Sequence, residues 1–162
     1  MHGKALLLSA VMLWMTLSAC AGQGTQSPTQ SCPDLTKVVE AFYAANDASQ
    51  FDASLQYLSD DIAVVTWAEG ANGHHMIFSS TVGKDQIKEF LARPGLKRTA
   101  SQPGLPNYTM QALQQAGVKV SFKLMPDRLH PDQRPYNPFE VEAFFSGCQI
   151  EVLKVVERVT WL

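Results

Sequence analysis

The chain carries none of the common catalytic signatures. G-x-S-x-G, G-x-G-x-x-G and the glycine-rich phosphate loop are all missing, so no hydrolase elbow or nucleotide cradle of those kinds is encoded. Neither sign of charge prevails: 13 Lys and Arg stand against 15 Asp and Glu, a net charge of -2 over 162 residues. That balance gives no electrostatic reason to expect nucleic acid as a partner. No apolar run is long. The most apolar one, Ala5 to Ala19 (ALLLSAVMLWMTLSA), has 15 residues, short of the ~20 that a membrane-spanning helix needs. No internal repeat is visible, and cysteine is scarce, at three. What is present is a hydrophobic fraction of 46%, ordinary for a single folded domain.

The amino terminus is an address. One positive charge, Lys4, precedes the short apolar run, and small residues close it. That order describes a secretory signal peptide over residues 1–19. The run ends Leu17-Ser18-Ala19-Cys20, which resembles the lipobox of bacterial lipoproteins. The resemblance implies that Cys20 becomes the lipidated first residue of the mature chain, and that a membrane is a partner through this anchor. A plain signal peptide with Cys20 an ordinary thiol is the alternative. Ala21, rather than Asp, follows the Cys; by the same resemblance this favours the outer membrane, facing the periplasm, so the expected location is the bacterial cell envelope. Residues 20–31 are small, polar and uncharged and read as a tether that holds the domain on the order of 20 Å from the surface. With Cys20 acylated, Cys32 and Cys148 remain in an oxidising compartment, and the even remainder suggests a disulfide. Two separate buried thiols are the alternative.

The folded part is expected over residues 32–162. Asp34 can cap a helix in which Leu35, Val38, Val39, Phe42 and Ala45 form one apolar stripe, ending near Asn46-Asp47. A shorter helix opens at Asp52 and carries Leu55 and Leu58. Asp60-Asp61 breaks the pattern, and Ile62 to Trp67 reads as a strand that returns, after a turn at Gly70-Ala-Asn-Gly73, through His74 to Ser80. Gly83 to Arg93 predicts a third helix stopped by Pro94. Met110 to Ala116 reads equally as strand or short helix. Val118, Val120, Phe122 and Leu124 alternate with Lys119, Ser121 and Lys123, as on a half-buried strand. Four prolines between Pro126 and Pro138 predict an extended loop. Phe139 to Ser146 and Cys148 to Trp161 then predict a hairpin with Phe139, Val141, Ala143 and Phe145 on one face.

This order of elements resembles the nuclear transport factor two-like superfamily, with its ketosteroid isomerases and SnoaL-like polyketide cyclases. The residues that carry the resemblance are VVEAFYAANDASQFDASLQYLSDDIAVV at 38 to 65, VGKDQIKEFLAR at 82 to 93 and FEVEAFFSGCQIEVLKVVERVTW at 139 to 161. It implies an α+β fold: a cone-shaped, curved antiparallel sheet packed on about three N-terminal helices, with a pocket at the open end. Members include enzymes, ligand binders and dimerisation modules, so fold alone does not give function. Ketosteroid isomerases use a Tyr on the first helix, which Tyr43 matches, and a carboxylate base on the first strand. Thr66 or Trp67 stands where that base would be, and neither abstracts a proton near neutral pH.

The candidate residues follow. On the last strand the parity of the apolar residues switches near Leu153, which predicts a bulge and sets Glu157 beside Val155, Val159 and Trp161. A carboxylate among apolar neighbours is either paired or has a raised pKa; the two readings are a pocket acid and a cross-strand Glu–Arg pair at a wet edge. Tyr43, Trp67, Glu157 and Trp161 are the expected ligand-binding residues, and Glu157 and Asp61 the candidate bases of an enzyme. His74-His75 and the Asp127, His130, Asp132 trio fall short of a metal site, the first because adjacent strand residues face opposite ways, the second because nothing fixes the loop; no cofactor is expected. Every charge from Phe90 to Pro126 is positive, an anion-facing surface or a solvated face. The reading is an envelope lipoprotein whose domain binds a small, partly apolar molecule or a partner protein. An isomerase, dehydratase or cyclase and a dimerisation or scaffold module are the alternatives, the last with a second copy of the chain as partner.

Overall fold

The computed structural model describes Cys32 and residues 34–70 and 75–159. The expected signal peptide and tether, Cys20, residues 71–74 of the expected turn with His74, and Trp161 lie outside the described residues. Three helices and six strands follow in the order α1 (Leu35–Asp47), α2 (Phe51–Leu55), β1 (Leu58–Gly70), β2 (His75–Val82), α3 (Lys84–Ile87), β3 (Tyr108–Ala116), β4 (Lys119–Pro126), β5 (Phe139–Ser146) and β6 (Gln149–Val159). The strands form one open sheet in the order β2-β1-β6-β5-β4-β3. The sheet is mixed rather than antiparallel: β1 and β6 run parallel, Ala63 beside Val152 and Ala68 beside Glu157, while the remaining pairs are antiparallel. The long chain between β1 and β6 returns the last strand to the first in the same direction.

Four register shifts bend the sheet. Phe144 pairs with Val152 but Phe145 with Ile150, so Glu151 is the extra residue of β6, two positions before the expected site. Ser59 to Ile62 bow out of the β1·β6 pairing between Leu58 and Ala63. Asp60 and Asp61 therefore interrupt the ladder without ending the strand, and Leu58, expected on the second helix, opens β1. The other two lie at Thr66/Trp67 against β2 and at Gln111/Gln114 against β4, where Ala112 takes φ 53°. Met110 to Ala116 is thus strand. Extra residues on one side of a ladder increase bend and twist, and here they curl one face of the sheet around the helices. Val120, Phe122 and Leu124 of β4, Phe139, Val141, Ala143 and Phe145 of β5 and Ile150, Leu153 and Val155 of β6 are buried on that face. Val118, read as part of the β4 stripe, precedes the strand and is exposed.

Helix α1 lies in the cone. Asp34 accepts the Lys37 amide at its start, which satisfies one of the free amides of the first turn. Its buried residues are Leu35, Val39, Phe42, Tyr43 and Asn46, a stripe rotated toward Tyr43 from the expected one. Helix α3 is much shorter than Gly83 to Arg93. The chain leaves it at Ile87 through successive turns, with Ile87, Leu91 and Leu96 fully buried. The reason is tertiary. Asn46 donates from Nδ2 to the carbonyls of Leu91 (2.8 Å) and Leu96 (2.6 Å), and Tyr43 donates its hydroxyl to the Gly95 carbonyl at 2.7 Å. Asp47 accepts the Arg98 amide at 2.7 Å and pairs with the Arg98 guanidinium at 2.6 Å. The end of α1 thus takes up backbone groups of the segment that follows α3, which a helix ending at Arg93 would leave unpaired.

The loop so held closes the cone. Gly95 has φ +87°, and a Cβ there would lie 2.6 Å from Val155 Cγ1 and 3.1 Å from Phe139 Cδ1. Its carbonyl faces Tyr43 and its Cα faces the sheet, so the backbone is clasped between the two. Gly95→Ala combines a left-handed conformation with a steric clash; it should cost about 2–4 kcal/mol, read as a lower urea midpoint at unchanged slope.

Cys32 and Cys148 are joined in a disulfide, with Cα atoms 5.4 Å apart and a sequence separation of 116. It ties the chain entering α1 to the turn of the β5–β6 hairpin. A loop of that length restricts the unfolded chain strongly, about 4–5 kcal/mol in the chain-entropy picture. Reduction should lower the unfolding midpoint accordingly, and thiol titration of the unreduced, exported protein should find neither cysteine free.

Candidate functional site

Glu157 is placed by backbone pairing. It stands beside Phe139 of β5 and Ala68 of β1, on the inner face of β6 two residues beyond Val155. The Asn137 side chain donates to its Oε1 at 2.7 Å, and the Arg158 amide to the Pro138 carbonyl at 2.9 Å locks the neighbouring backbone. The carboxylate stands where two recesses meet. One, of about 220 Å³, is walled by Pro94, Leu105, Tyr108, Tyr136 and Phe139 with Glu157. The other, of about 200 Å³, is walled by Thr66, Trp67, Arg93, Pro94, Phe139 and Val155, again with Glu157. Both are below the ~300–1,000 Å³ of a site for drug-sized ligands. The cone is packed to its mouth by α1 and the Gly95 loop, and the recesses lie at the rim.

The aromatic walls are ordered by their neighbours. The rings of Tyr108 and Phe139 meet edge to face at 5.2 Å, a favoured geometry. Tyr136 donates its hydroxyl to the Gly104 carbonyl at 3.1 Å and its ring lies 5.2 Å from that of His130. Partial burial and the nearby Glu157 charge, in that order, push the Tyr108 phenol up to about 12. Glu157 and Tyr108 therefore bring a carboxylate and a phenol O–H to one recess.

Of the expected ligand-binding residues, Glu157 lies on the inner face, while Trp67, paired with Val156, belongs by strand alternation to the outer face and borders recesses on both sides. Tyr43 does not join Glu157. It is fully buried, its hydroxyl is bonded to Gly95, and its ring packs edge to face on Phe42 and Phe122 at 5.2 and 5.4 Å; burial drives its phenol pKa far up. It is a core residue because α1 turns that face into the cone. Trp161 lies outside the described residues. Asp61 is exposed on the bowed part of β1 and borders neither recess, so it has no enclosed volume in which to act as a base. Thr66 borders the second recess, its hydroxyl 2.7 Å from Ser79 Oγ. Tyr108, Tyr136, Asn137 and Phe139 were not singled out as site residues. The first three flank or end irregular segments, and only the Pro94-Gly95 and Pro135 to Pro138 punctuation hints that loops meet there.

Three of the five basic residues between Phe90 and Pro126 are paired with carboxylates. Arg98 is paired with Asp47, Lys119 with Glu142 and Lys123 with Glu140. Lys97 donates to Ser49, and Arg93 stacks over Phe90 at 4.0 Å. In the proline-rich loop, Asp127 accepts from Asn107 and Arg128, and Asp132 from His130 and Arg134. The largest recess, about 500 Å³, lies on the opposite face of the sheet, bordered by Trp67, Ser121 and Val156. Its charges close on one another: Arg158 bridges Glu69 and Glu140, and Lys119 and Lys154 flank Glu142.

No family model matches the chain, and no curated protein matches it by sequence. Solved structures match in shape. An NTF2-like protein of unknown function from Cytophaga hutchinsonii aligns with TM-score 0.51 at 11% identity, over 76% of this chain and 89% of that one. A Kribbella flavida protein provisionally described as a ketosteroid isomerase aligns with TM-score 0.50 at 9% identity, over 79% and 80%. TerC, co-crystallised with polyporic acid, aligns with TM-score 0.53 at 14% identity, over 76% and 92%. At these identities the likeness is one of fold: the chain has the nuclear transport factor two-like fold, an α+β cone.

The Tyr108 environment has a pH signature. The folded chain holds the phenolic proton more tightly than the unfolded chain, whose tyrosines titrate near 10. Stability is therefore intact below about pH 10 and falls as pH rises toward about 12. Absorbance titration of tyrosinate should show a late-ionising class, and Glu157→Gln should bring one of its members to lower pH.

Proposed function

We propose that this chain is an envelope lipoprotein whose cone-shaped domain binds a small, partly apolar molecule in the two recesses around Glu157. One observation carries the binding reading. A half-buried carboxylate and the Tyr108 phenol converge on a small recess whose other walls are Phe139, Tyr136, Leu105 and Pro94. Small-molecule sites have this composition, apolar walls with a few placed polar groups. The anchor rests on the sequence at Leu17 to Cys20. A lipidated Cys20 with an uncharged tether would present the domain close to the membrane while leaving the recesses open to solutes.

A second reading uses the same groups. Glu157 as base and Tyr108 as hydrogen-bond donor to a developing oxyanion would make a proton-transfer enzyme of the isomerase, dehydratase or cyclase kind. What favours it is that both groups border one recess. Glu157→Gln keeps shape and removes the base, so turnover would fall by orders of magnitude while binding of an uncharged ligand would persist.

Protein extracted from its own membrane and weighed intact tests both halves of the main reading. The expected mass is that of a chain beginning at Cys20 plus acyl groups, with a small molecule retained under native conditions. Cys20→Ser should leave an unprocessed precursor without acyl label. Label in that variant would overturn the anchor, and a native protein that is always empty would overturn the binding reading.

A further inference from the structure

We propose that residues 99–107 form a lid over the Glu157 recess, latched by the Tyr136 hydroxyl and opened to admit and release the bound molecule. The proposal rests on the binding reading above and adds to it how that site is closed.

The first observation is the shape of the segment. The Tyr108 amide donates to the Arg98 carbonyl at 2.7 Å, so the nine residues from Thr99 to Asn107 leave the Gly95 loop and return to the same place. A compact surface loop whose ends are pinned together is a unit that can move about its neck. The neck is held from both sides. Asp47 accepts the Arg98 and Thr99 amides at 2.7 and 3.2 Å, and Thr99 Oγ1 donates to the Asp47 carbonyl at 3.2 Å. Asn107 donates its backbone amide and its Nδ2 to the Asp127 carboxylate at 3.0 and 3.1 Å, and its carbonyl accepts the Asp127 amide at 2.9 Å. Asn107 Oδ1 accepts the Ala100 amide at 2.9 Å, which closes the neck across its width.

The second observation is how lightly the tip is held. Ser101 to Gly104 are exposed and Leu105 is half-buried. The Leu105 amide bonds within the loop, to the Gln102 carbonyl at 3.3 Å. Among the described residues, one hydrogen bond ties residues 101–105 to the body, from the Tyr136 hydroxyl to the Gly104 carbonyl at 3.1 Å. Lifting the tip therefore breaks one exposed hydrogen bond and uncovers one half-buried leucine, while the neck stays bonded. Segments with few buried contacts and exposed hydrogen bonds are the ones that open locally.

The third observation is what the loop covers. Thr99, Ala100, Ser101, Leu105 and Pro106 wall the 220 Å³ recess on one side, and Tyr108, Phe139 and Glu157 wall it on the other. Tyr136 borders the same recess, so a molecule seated there meets the ring that carries the latch. Closing the tip over it excludes water from Glu157 and Tyr108, as substrate-covering loops do.

The test measures the tip directly, in the full exported protein with its disulfide intact. Nitroxides on Gln102→Cys and Gln56→Cys, two exposed positions, report the distance from the tip to the end of α2. Pulsed electron-spin distance measurement should resolve two populations, closed and open. Tyr136→Phe keeps the ring and removes the latch hydroxyl; it should raise the open-to-closed ratio about threefold to tenfold. Benzyl alcohol, with a ring for the aromatic walls and a hydroxyl to donate to Glu157, should lower that ratio when the Tyr136 latch is present. A single distance that Tyr136→Phe leaves unchanged overturns the lid while the binding reading stands. Benzyl alcohol that shifts the Tyr108 and Phe139 NMR signals without lowering the ratio does the same. Absence of any such shift also overturns the lid, and with an always empty protein from the membrane it takes the binding reading with it.

Discussion

The end of α1 holds the structure's mouth shut, and most else follows from that. Tyr43, Asn46 and Asp47 are consecutive on the helix's inner and upper surface, and together they take up backbone groups of Leu91, Gly95, Leu96, Arg98 and Thr99. Buried backbone groups must be paired somewhere. A third helix ending at Arg93 would leave them unpaired. Here side chains of α1 substitute, and the segment is free to run across the cone as an irregular strap. Pro94 and Gly95 suit that path, the one lacking an amide and disfavouring helix before it, the other having no Cβ to meet Val155 and Phe139. The strap fills what would be a deep cavity and leaves two small recesses at its edge.

Curvature of the sheet does the complementary work. Each of the four register shifts places one or more extra residues on a single strand, and the sum wraps the inner face around α1 and the strap. The parallel contact of β1 with β6 sets Trp67, Ala68 and Glu157 near one another although some ninety residues separate them in the chain. Without it, Glu157 would sit at a sheet edge, where the alternative of a wet cross-strand pair with arginine would hold. Arg158, one residue on, does make such a pair, on the outer face with Glu69 and Glu140. Strand alternation alone separates the two roles.

Local chemistry was legible where local chemistry decides. The Asp34 cap, the alternation of β4 and β5, the inward parity of Glu157 and the Cys32–Cys148 pairing could all be read from residues, because each depends on spacing along one strand or helix or on counting thiols. What could not be read depends on who meets whom. The parallel pairing of β1 and β6 has no local signature. The length of α3 was overestimated because its periodic Ile87, Phe90 and Leu91 satisfy a helical pattern, yet Asn46 competes for the Leu91 carbonyl. Tyr43 carried an aromatic ring and a hydroxyl, which suit a cavity wall and a core bond equally, and the partner that decides, the Gly95 carbonyl, is 52 residues away. Tyr108, Tyr136 and Asn137 reach Glu157 from both sides of a proline-rich loop whose path no periodicity describes.

The two faces of the sheet treat charge in opposite ways. The outer face carries three carboxylates, Glu69, Glu140 and Glu142, and four cations, Lys119, Lys123, Lys154 and Arg158, linked to one another as ion pairs. Such a lattice adds little stability per exposed pair. The inner face is apolar except at its rim, where one carboxylate stands among aromatic rings. Alternation along each strand thus sorts charge to the outer face and leaves the inner one to packing, with Glu157 at its rim.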